Sequence, residues 1–303
     1  MTLARRLWTY QAERFPLLRT VPLLAVFSAA SINVSALLAG RELPGPGAYA
    51  IGLALGLILF FQMRAADEWK DLETDRRYRP ERAIPRGLVS LRLILGIALG
   101  LVPVAVLLAL ADGTALLWLL LLVWGWLALM TVEFGVPAWL TARPLVYLVS
   151  HMAIMPLIDL MLTGVEWAGA GGPAPGLWLF LALSLVNGCV LEIGRKCWAP
   201  ENEWPGVDSY SGLWGARRAA SVWLSLVAVA AVLLAAVGWA TGGALAVGLV
   251  AGLGLAACAA VASRFRAAPV ARTQAWLDAA AGLWVLICYA AAGFLPLVTG
   301  GAP

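Results

Sequence analysis

Charge is what this sequence has least of. Asp, Glu, Lys and Arg together make up 13% of its 303 residues, where a soluble domain carries about a quarter. A soluble globular enzyme is excluded at that step. Histidine is nearly absent, His151 being the only one, so no site built from several imidazoles exists. Cysteine is sparse as well. Cys189, Cys197, Cys258 and Cys288 form no CxxC pair and no metal-binding spacing, and three of them fall inside apolar runs. They read as small packing residues, with disulfides not expected. What abounds is apolar surface: 62% of the residues are hydrophobic, and the mean hydropathy is +0.87. Disorder is excluded by the same figures. Fifteen tryptophans suit a protein with two membrane interfaces.

Apolar runs of spanning length, about 20 residues per crossing, cover 17–39, 47–66, 91–111, 114–132, 144–163, 176–192, 219–240, 243–262 and 275–299. The expected architecture is therefore all-α, a polytopic bundle of nine transmembrane helices forming one domain over residues 1–303. The first run carries Arg19 and lacks a small-residue cleavage signature, so it reads as a retained helix. Asp112-Gly113 and Thr241-Gly242-Gly243 make two of the connections tight hairpins.

The basic residues orient the bundle. With nine crossings, twenty of the twenty-one Lys and Arg residues fall on one side, and only Arg41 falls on the other. Lys and Arg resist translocation, so the expected orientation is N-terminus cytoplasmic and C-terminus outside. The net charge of +4 then belongs to a face turned to membrane lipids and cytoplasm, and no nucleic-acid partner is implied.

Two long, charged connections stand on that basic side, where function commonly resides. In the first, Asp67, Asp71 and Asp75 are spaced four apart. On a continuous helix they would share one face, a repulsive arrangement unless something compensates. Mg²⁺ is typically held by one or two carboxylates plus phosphate oxygens of a substrate, so the spacing suits a metal held between protein and a diphosphate. Arg64, Lys70, Arg82 and Arg86 stand close enough in sequence to meet the remaining phosphate charge. A solvated helix end with mixed charges gives the same pattern. In the second connection Glu192, Arg195 and Lys196 lie at i, i+3 and i+4, followed by Glu201, Glu203 and Asp208 in a loop marked by Pro and Gly. An intrahelical Glu192–Lys196 pair accounts for part of it at a few tenths of a kcal/mol.

Within the spans, Asn33, Gln62, His151, Asp159 and Asn187 are the polar residues to explain. Ionisable groups at membrane depth usually face a cavity or a partner. Asn33, His151 and Asp159 are cavity candidates. Helix–helix hydrogen bonding is the competing account of each.

Taken together the two loops resemble a known family. Asp67-Glu68-x-x-Asp71-x-x-x-Asp75, followed by Arg79-Pro80-Glu81-Arg82-Ala83-Ile84-Pro85-Arg86-Gly87, is similar to the first signature of the UbiA-type intramembrane prenyltransferases. That signature is an Asn-Asp-x-x-Asp-x-x-x-Asp run followed by Arg-Pro-x-Pro-x-Gly. The nine-helix topology agrees with it. The resemblance implies helices around a central cavity, capped on the cytoplasmic side by the two motif loops. It implies Mg²⁺-dependent transfer of an isoprenyl chain from an isoprenyl diphosphate to a lipophilic or aromatic acceptor. Asp67, Glu68, Asp71 and Asp75 would then be metal ligands. Asp67, Asp71, Asp75 and Glu192 would be the catalytic set, with Arg64, Lys70, Arg82, Arg86, Arg195 and Lys196 on the diphosphate. The departures are definite. Asp67 and Glu68 replace the usual Asn-Asp, Ala83 replaces a proline, and Lys196 stands where the family's second Asp-x-x-x-Asp run has a carboxylate. Glu203 or Asp208 would have to supply the missing ligand. Since some relatives are terpene cyclases, cyclisation of the isoprenyl diphosphate is the alternative. A transporter or non-catalytic membrane protein is the alternative of another class, against which stand the one-sided charged loops and the absence of a clear internal repeat.

Overall fold

The computed structural model describes residues 1–204 and 209–299. Asp208 and the last four residues lie outside the described residues. Helices account for all regular structure among those described. In order they are α1 (Leu3–Arg14), α2 (Leu17–Ala39), α3 (Pro46–Lys70), α4 (Leu72–Tyr78), α5 (Leu91–Gly100), α6 (Val102–Asp112), α7 (Thr114–Thr131) and α8 (Pro137–Thr141). There follow α9 (Pro144–Met152), α10 (Ile154–Trp167), α11 (Leu177–Arg195), α12 (Tyr210–Trp214), α13 (Ala216–Ala240), α14 (Ala244–Ala267) and α15 (Ala271–Val298). Helices α5 with α6, and α9 with α10, run on as single spans, which gives nine segments long and apolar enough to cross a membrane among the described residues.

Proline explains both interruptions. Pro103 cannot donate to the carbonyl of Leu99, nor Pro156 to that of Met152. Each helix breaks within three residues before its proline, at Leu101 and Ala153. Several helices exceed the apolar runs at their charged ends: α3 extends to Lys70, α11 to Arg195 and α14 to Ala267. Charged residues continue a helix readily once it leaves the hydrocarbon, so hydropathy alone stops short by about a turn.

Helices α2, α10, α11 and α15 pack on one another at the centre, and α3, α7, α13 and α14 pack around them. The inner contacts are close. A Cβ on Gly293 of α15 would lie 2.5 Å from the Ala30 Cα of α2, so this crossing requires glycine. The outer surface is apolar. Leu245, Leu249 and Leu253 of α14, one helical turn apart, are 79%, 58% and 71% exposed. Such a stripe faces lipid. Arg41, the one basic residue at the other end, is held by Glu166 at 2.9 Å and by the carbonyl of Gly172 at 3.0 Å.

Helix α1 lies outside the spans. Its Leu3 and Trp8 are exposed beside Arg5 and Arg6, the composition of a helix lying in the headgroup plane. Its other face buries Tyr10 among Ala65, Ala83, Ile84, Val89, Ile94 and Ala98. This small second core fastens α1 and the 79–90 connection over the end of α3.

Candidate functional site

The first motif is not one continuous helical face. Asp71 caps α3 with φ −88° and ψ 1°, and α4 starts anew after it. The i to i+4 backbone bonds persist, from Asp71 N–H to the Asp67 carbonyl and from Asp75 N–H to the Asp71 carbonyl, each at 2.8 Å. The side chains part ways all the same. Asp67 is 51% exposed and 3.7 Å from Arg64. Asp71 is half-buried. Asp75 is buried, and Arg82 Nη1 donates to both its oxygens at 2.8 and 2.7 Å, with Arg79 at 3.8 Å. Glu68, also buried, accepts from Arg14 of α1 at 2.5 Å. The structure thus commits Glu68 and Asp75 to ion pairs within the protein.

The same holds for two of the expected phosphate-binding arginines. Arg82 is spent on Asp75. Arg86 donates to Glu13 at 2.7 and 3.0 Å and to the Glu81 carbonyl at 2.6 Å. The turn that brings Arg86 back needs Gly87, whose φ is +77°. Much of the Arg-Pro-x-x-x-x-x-Arg-Gly segment therefore builds the loop.

In the second connection Glu192 pairs with Lys196 at 2.8 Å, and Arg195 is exposed. The acidic residues farther on serve the loop. Glu201 accepts the Ala271 N–H at 2.5 Å at the start of α15. Ser209 donates to Glu203 at 2.6–2.7 Å while its oxygen accepts the Gly212 N–H at the start of α12. Asp208 lies outside the described residues. Burial, and then the charge of Glu203, pushes the Cys197 thiol up to about 12, which leaves it an unreactive packing residue. The Tyr210 N–H donates to the Lys196 carbonyl at 3.0 Å, so the second loop closes over the end of α11.

What remains is a smaller set whose ion pairs, Asp67–Arg64 and Glu192–Lys196, are open to solvent where those of Glu68 and Asp75 are buried. Asp67 lies within charge–charge range of Asp71, Lys70 and Glu192, and Asp71 and Glu192 within that of Tyr147. The two motifs therefore come near one another at the basic end of the bundle, with Arg64 beside Asp67 and Lys196 beside Glu192. Among the described residues, no three His, Cys, Asp or Glu side chains are gathered as a ready cation cage. Asp67, Asp71 and, across from them, Glu192 still fit Mg²⁺ chemistry, since that ion commonly takes one or two carboxylates and fills its shell with water and substrate phosphate.

Lys70 is placed differently from the simple expectation. It forms an ion pair with Glu133 and donates to the Tyr147 hydroxyl at 2.8 Å. His151 Nε2 is 3.4 Å from Lys70 Nζ and 3.3 Å from Glu133 Oε2, and its ring stacks on Tyr147 at 3.9 Å. His151 thus belongs to the site region, while Glu133 and Tyr147 were missed. The available signal was that Glu133 is the only acidic residue between Asp112 and Asp159 and stands at the end of a span. Asn33 and Asp159 lie elsewhere. Asn33 accepts from Tyr49 at 2.6 Å and donates to the Gly293 carbonyl at 3.2 Å. Asp159 accepts from Ser31 and Tyr289, both at 2.6 Å. Both are buried and tie the central helices together.

No family model matches this sequence, and no curated protein matches it. Two solved structures match it in shape. One, from work on digeranylgeranylglyceryl phosphate synthase in membranes, shares 15% identity and a TM-score of 0.63 over 95% of this chain and 98% of that one. The other, the apo structure of a UbiA homolog from Aeropyrum pernix K1, shares 19% identity and a TM-score of 0.67 over 87% of this chain and 94% of that one. At such identities the likeness establishes the fold. Among the described residues the chain is all-helical with nine segments able to span a membrane, and it has the UbiA-type fold.

Proposed function

We propose that this chain, acting as one intramembrane domain, transfers an isoprenyl group from an isoprenyl diphosphate to a lipophilic acceptor in a Mg²⁺-dependent reaction. The observation that carries the reading is that Asp67, beside Asp71 on the first motif, lies within charge–charge range of Glu192 on the second, at the basic end of a bundle with this fold. Bound Mg²⁺ would supply positive charge that stabilises the departing diphosphate. Asp67 and Asp71 would hold that ion, and Glu192 would face it from α11. Arg64, Arg195 and Lys196 would meet the outer phosphate oxygens, where fixed cations stabilise charge as it develops. Lys196 cannot bind a metal, because its ammonium only donates, so it would act as a point charge in place of a second ion. The chain's apolar interior would take the isoprenyl tail and keep water from the allylic cation.

Capture of that cation by the isoprenyl chain's own double bonds, giving a cyclised product, is the second outcome. Mass analysis of the lipid extract after incubation with farnesyl and geranylgeranyl diphosphate decides between them. The proposed reaction yields an adduct of acceptor and isoprenyl chain. Cyclised hydrocarbon without adduct would establish the cyclase reading.

The basic end is proposed to be cytoplasmic, with the N-terminus inside and the C-terminus outside. The four native cysteines are buried, so single introduced cysteines can report the sides. A cysteine replacing the exposed Glu81 should react only from the cytoplasm, and one replacing the exposed Ala170 only from outside. Reaction of both from one side would remove the topology.

A further inference from the structure

Between α7 and α8 the backbone is strained at two adjacent residues. Glu133 and Phe134 have φ of +51° and +52°, in the left-handed region that non-glycine residues avoid. Such residues are strained and collect at functional sites. The strain delivers the Glu133 carboxylate into the group around Lys70. There Oε1 accepts from the Tyr147 hydroxyl at 3.0 Å and the carboxylate pairs with Lys70. Oε2 is buried without a hydrogen-bond partner among the described residues, and His151 Nε2 lies 3.3 Å from it. His151 Nδ1 lies 2.9 Å from the Tyr147 carbonyl and so carries the ring proton when His151 is neutral, leaving Nε2 without one. Two lone pairs then face each other across 3.3 Å. The arrangement has room for one more proton.

Lys70 is also the link to the neighbouring carboxylates, since it directly precedes Asp71. Its ammonium is now directed at Glu133, Tyr147 and His151. A diphosphate bound at Asp67 and Asp71 would carry several negative charges and compete for it. Once Lys70 turns to the phosphate, Glu133 is left as a largely buried anion with a single hydroxyl donor. A buried unpaired carboxylate is expensive, and it is relieved by taking up a proton.

We propose that Glu133 is the proton acceptor of the transfer reaction, switched on when an isoprenyl diphosphate draws Lys70 away from it. The inference rests on the prenyl-transfer reading. The C1–O bond of the isoprenyl diphosphate breaks with its electron pair leaving on diphosphate. The acceptor's electron pair forms the new bond to C1, and the acceptor's proton passes to Glu133 Oε2, shared with His151 Nε2. The groups facing this pair are Lys70 from α3, Tyr147 from α9 and, at longer range, Asp71 and Glu192. No metal ligand of the proposed site touches it.

The test needs no knowledge of the acceptor. The probe is the unreactive analogue farnesyl thiodiphosphate, bound to the reconstituted protein with Mg²⁺ and followed by calorimetry in buffers of different ionisation enthalpy. With the acceptor in place before the diphosphate, the acceptor supplies that proton; with no acceptor present, it comes from buffer. The parent should take up about one proton more per site than Glu133→Gln, and Glu133→Gln should bind the analogue more tightly, because Lys70 has lost its competing partner. Equal proton uptake in parent and Glu133→Gln would overturn the inference. So would weaker binding in Glu133→Gln with a lowered melting temperature, the sign of a structural role. Should Glu133→Gln not fold, Lys70→Met serves. It leaves Glu133 protonated before ligand arrives, so binding should weaken and the extra proton should vanish, whereas undiminished uptake would overturn the idea. Failure of the parent itself to bind the analogue would instead strike the prenyl-transfer reading on which this rests.

Discussion

Asp71→Asn should lower metal-dependent binding of an isoprenyl diphosphate at least about 100-fold and leave the melting temperature unchanged. Removing a residue that merely supports a metal ligand costs about 10- to 100-fold in affinity, and a ligand should cost no less. Asp71 is half-buried, sits at the break between α3 and α4, and has neither of the ion pairs that occupy Glu68 and Asp75. Asn preserves its size and takes away the charge. Asp75→Asn should behave in the opposite way. It leaves Arg82 without its bidentate partner, so its principal effect should be on stability, with ligand binding reduced only as far as the loop is disturbed. Binding by titration and melting by thermal denaturation in detergent read the two quantities separately. Equal binding in Asp71→Asn and the parent would show that the carboxylates form only a solvated helix end.

Arg14→Ala should destabilise the protein by about 3–5 kcal/mol, the usual cost of stranding one partner of a buried ion pair. Glu68 has a side-chain exposure of 2%, and Arg14 is its partner at 2.5 Å. This pair pins α1 across the end of α3, beside the buried Tyr10. Removing both charges, as in Arg14→Ala with Glu68→Leu, should recover most of the loss, since no isolated charge is then buried. The pattern separates the two roles assigned to Glu68. As a clasp, it makes the double variant more stable than Arg14→Ala. As a metal ligand, Glu68→Gln would lose metal-dependent binding while Arg14→Ala kept its stability.

The sequence was most informative where the physics is one-dimensional. A span needs about 20 apolar residues, and each of the nine runs coincides with a helix long enough to cross. The lone exception to the charge asymmetry, Arg41, turns out to be neutralised by Glu166, a partner 125 residues away. The site was less legible for the same reason. Four-residue spacing placed Asp67, Asp71 and Asp75 on one face, but that inference assumes an unbroken helix, and the helix stops at Asp71. Arg82 and Arg86 were set aside for phosphate because proximity in sequence says nothing of Asp75 or Glu13 as competitors. Glu133 escaped notice because a single carboxylate has no pattern, and its significance arises only when the fold brings Lys70, 63 residues earlier by number, against it. Resemblance to the prenyltransferase motif pointed to the correct fold at a level of identity where no sequence-family model matches.

The central claim is that this bundle ionises an isoprenyl diphosphate with the help of a divalent cation. Release of inorganic diphosphate is its most direct measure, followed in vesicles holding this protein and supplied with membrane extract as the source of acceptor, with farnesyl and geranylgeranyl diphosphate, in Mg²⁺ and in excess chelator. The account predicts release with at least one chain length in Mg²⁺, none in chelator, and none in Asp71→Asn under either condition. Release that persists at the same rate in chelator and in Asp71→Asn, or no release at any chain length with metal and membrane extract supplied, would contradict it.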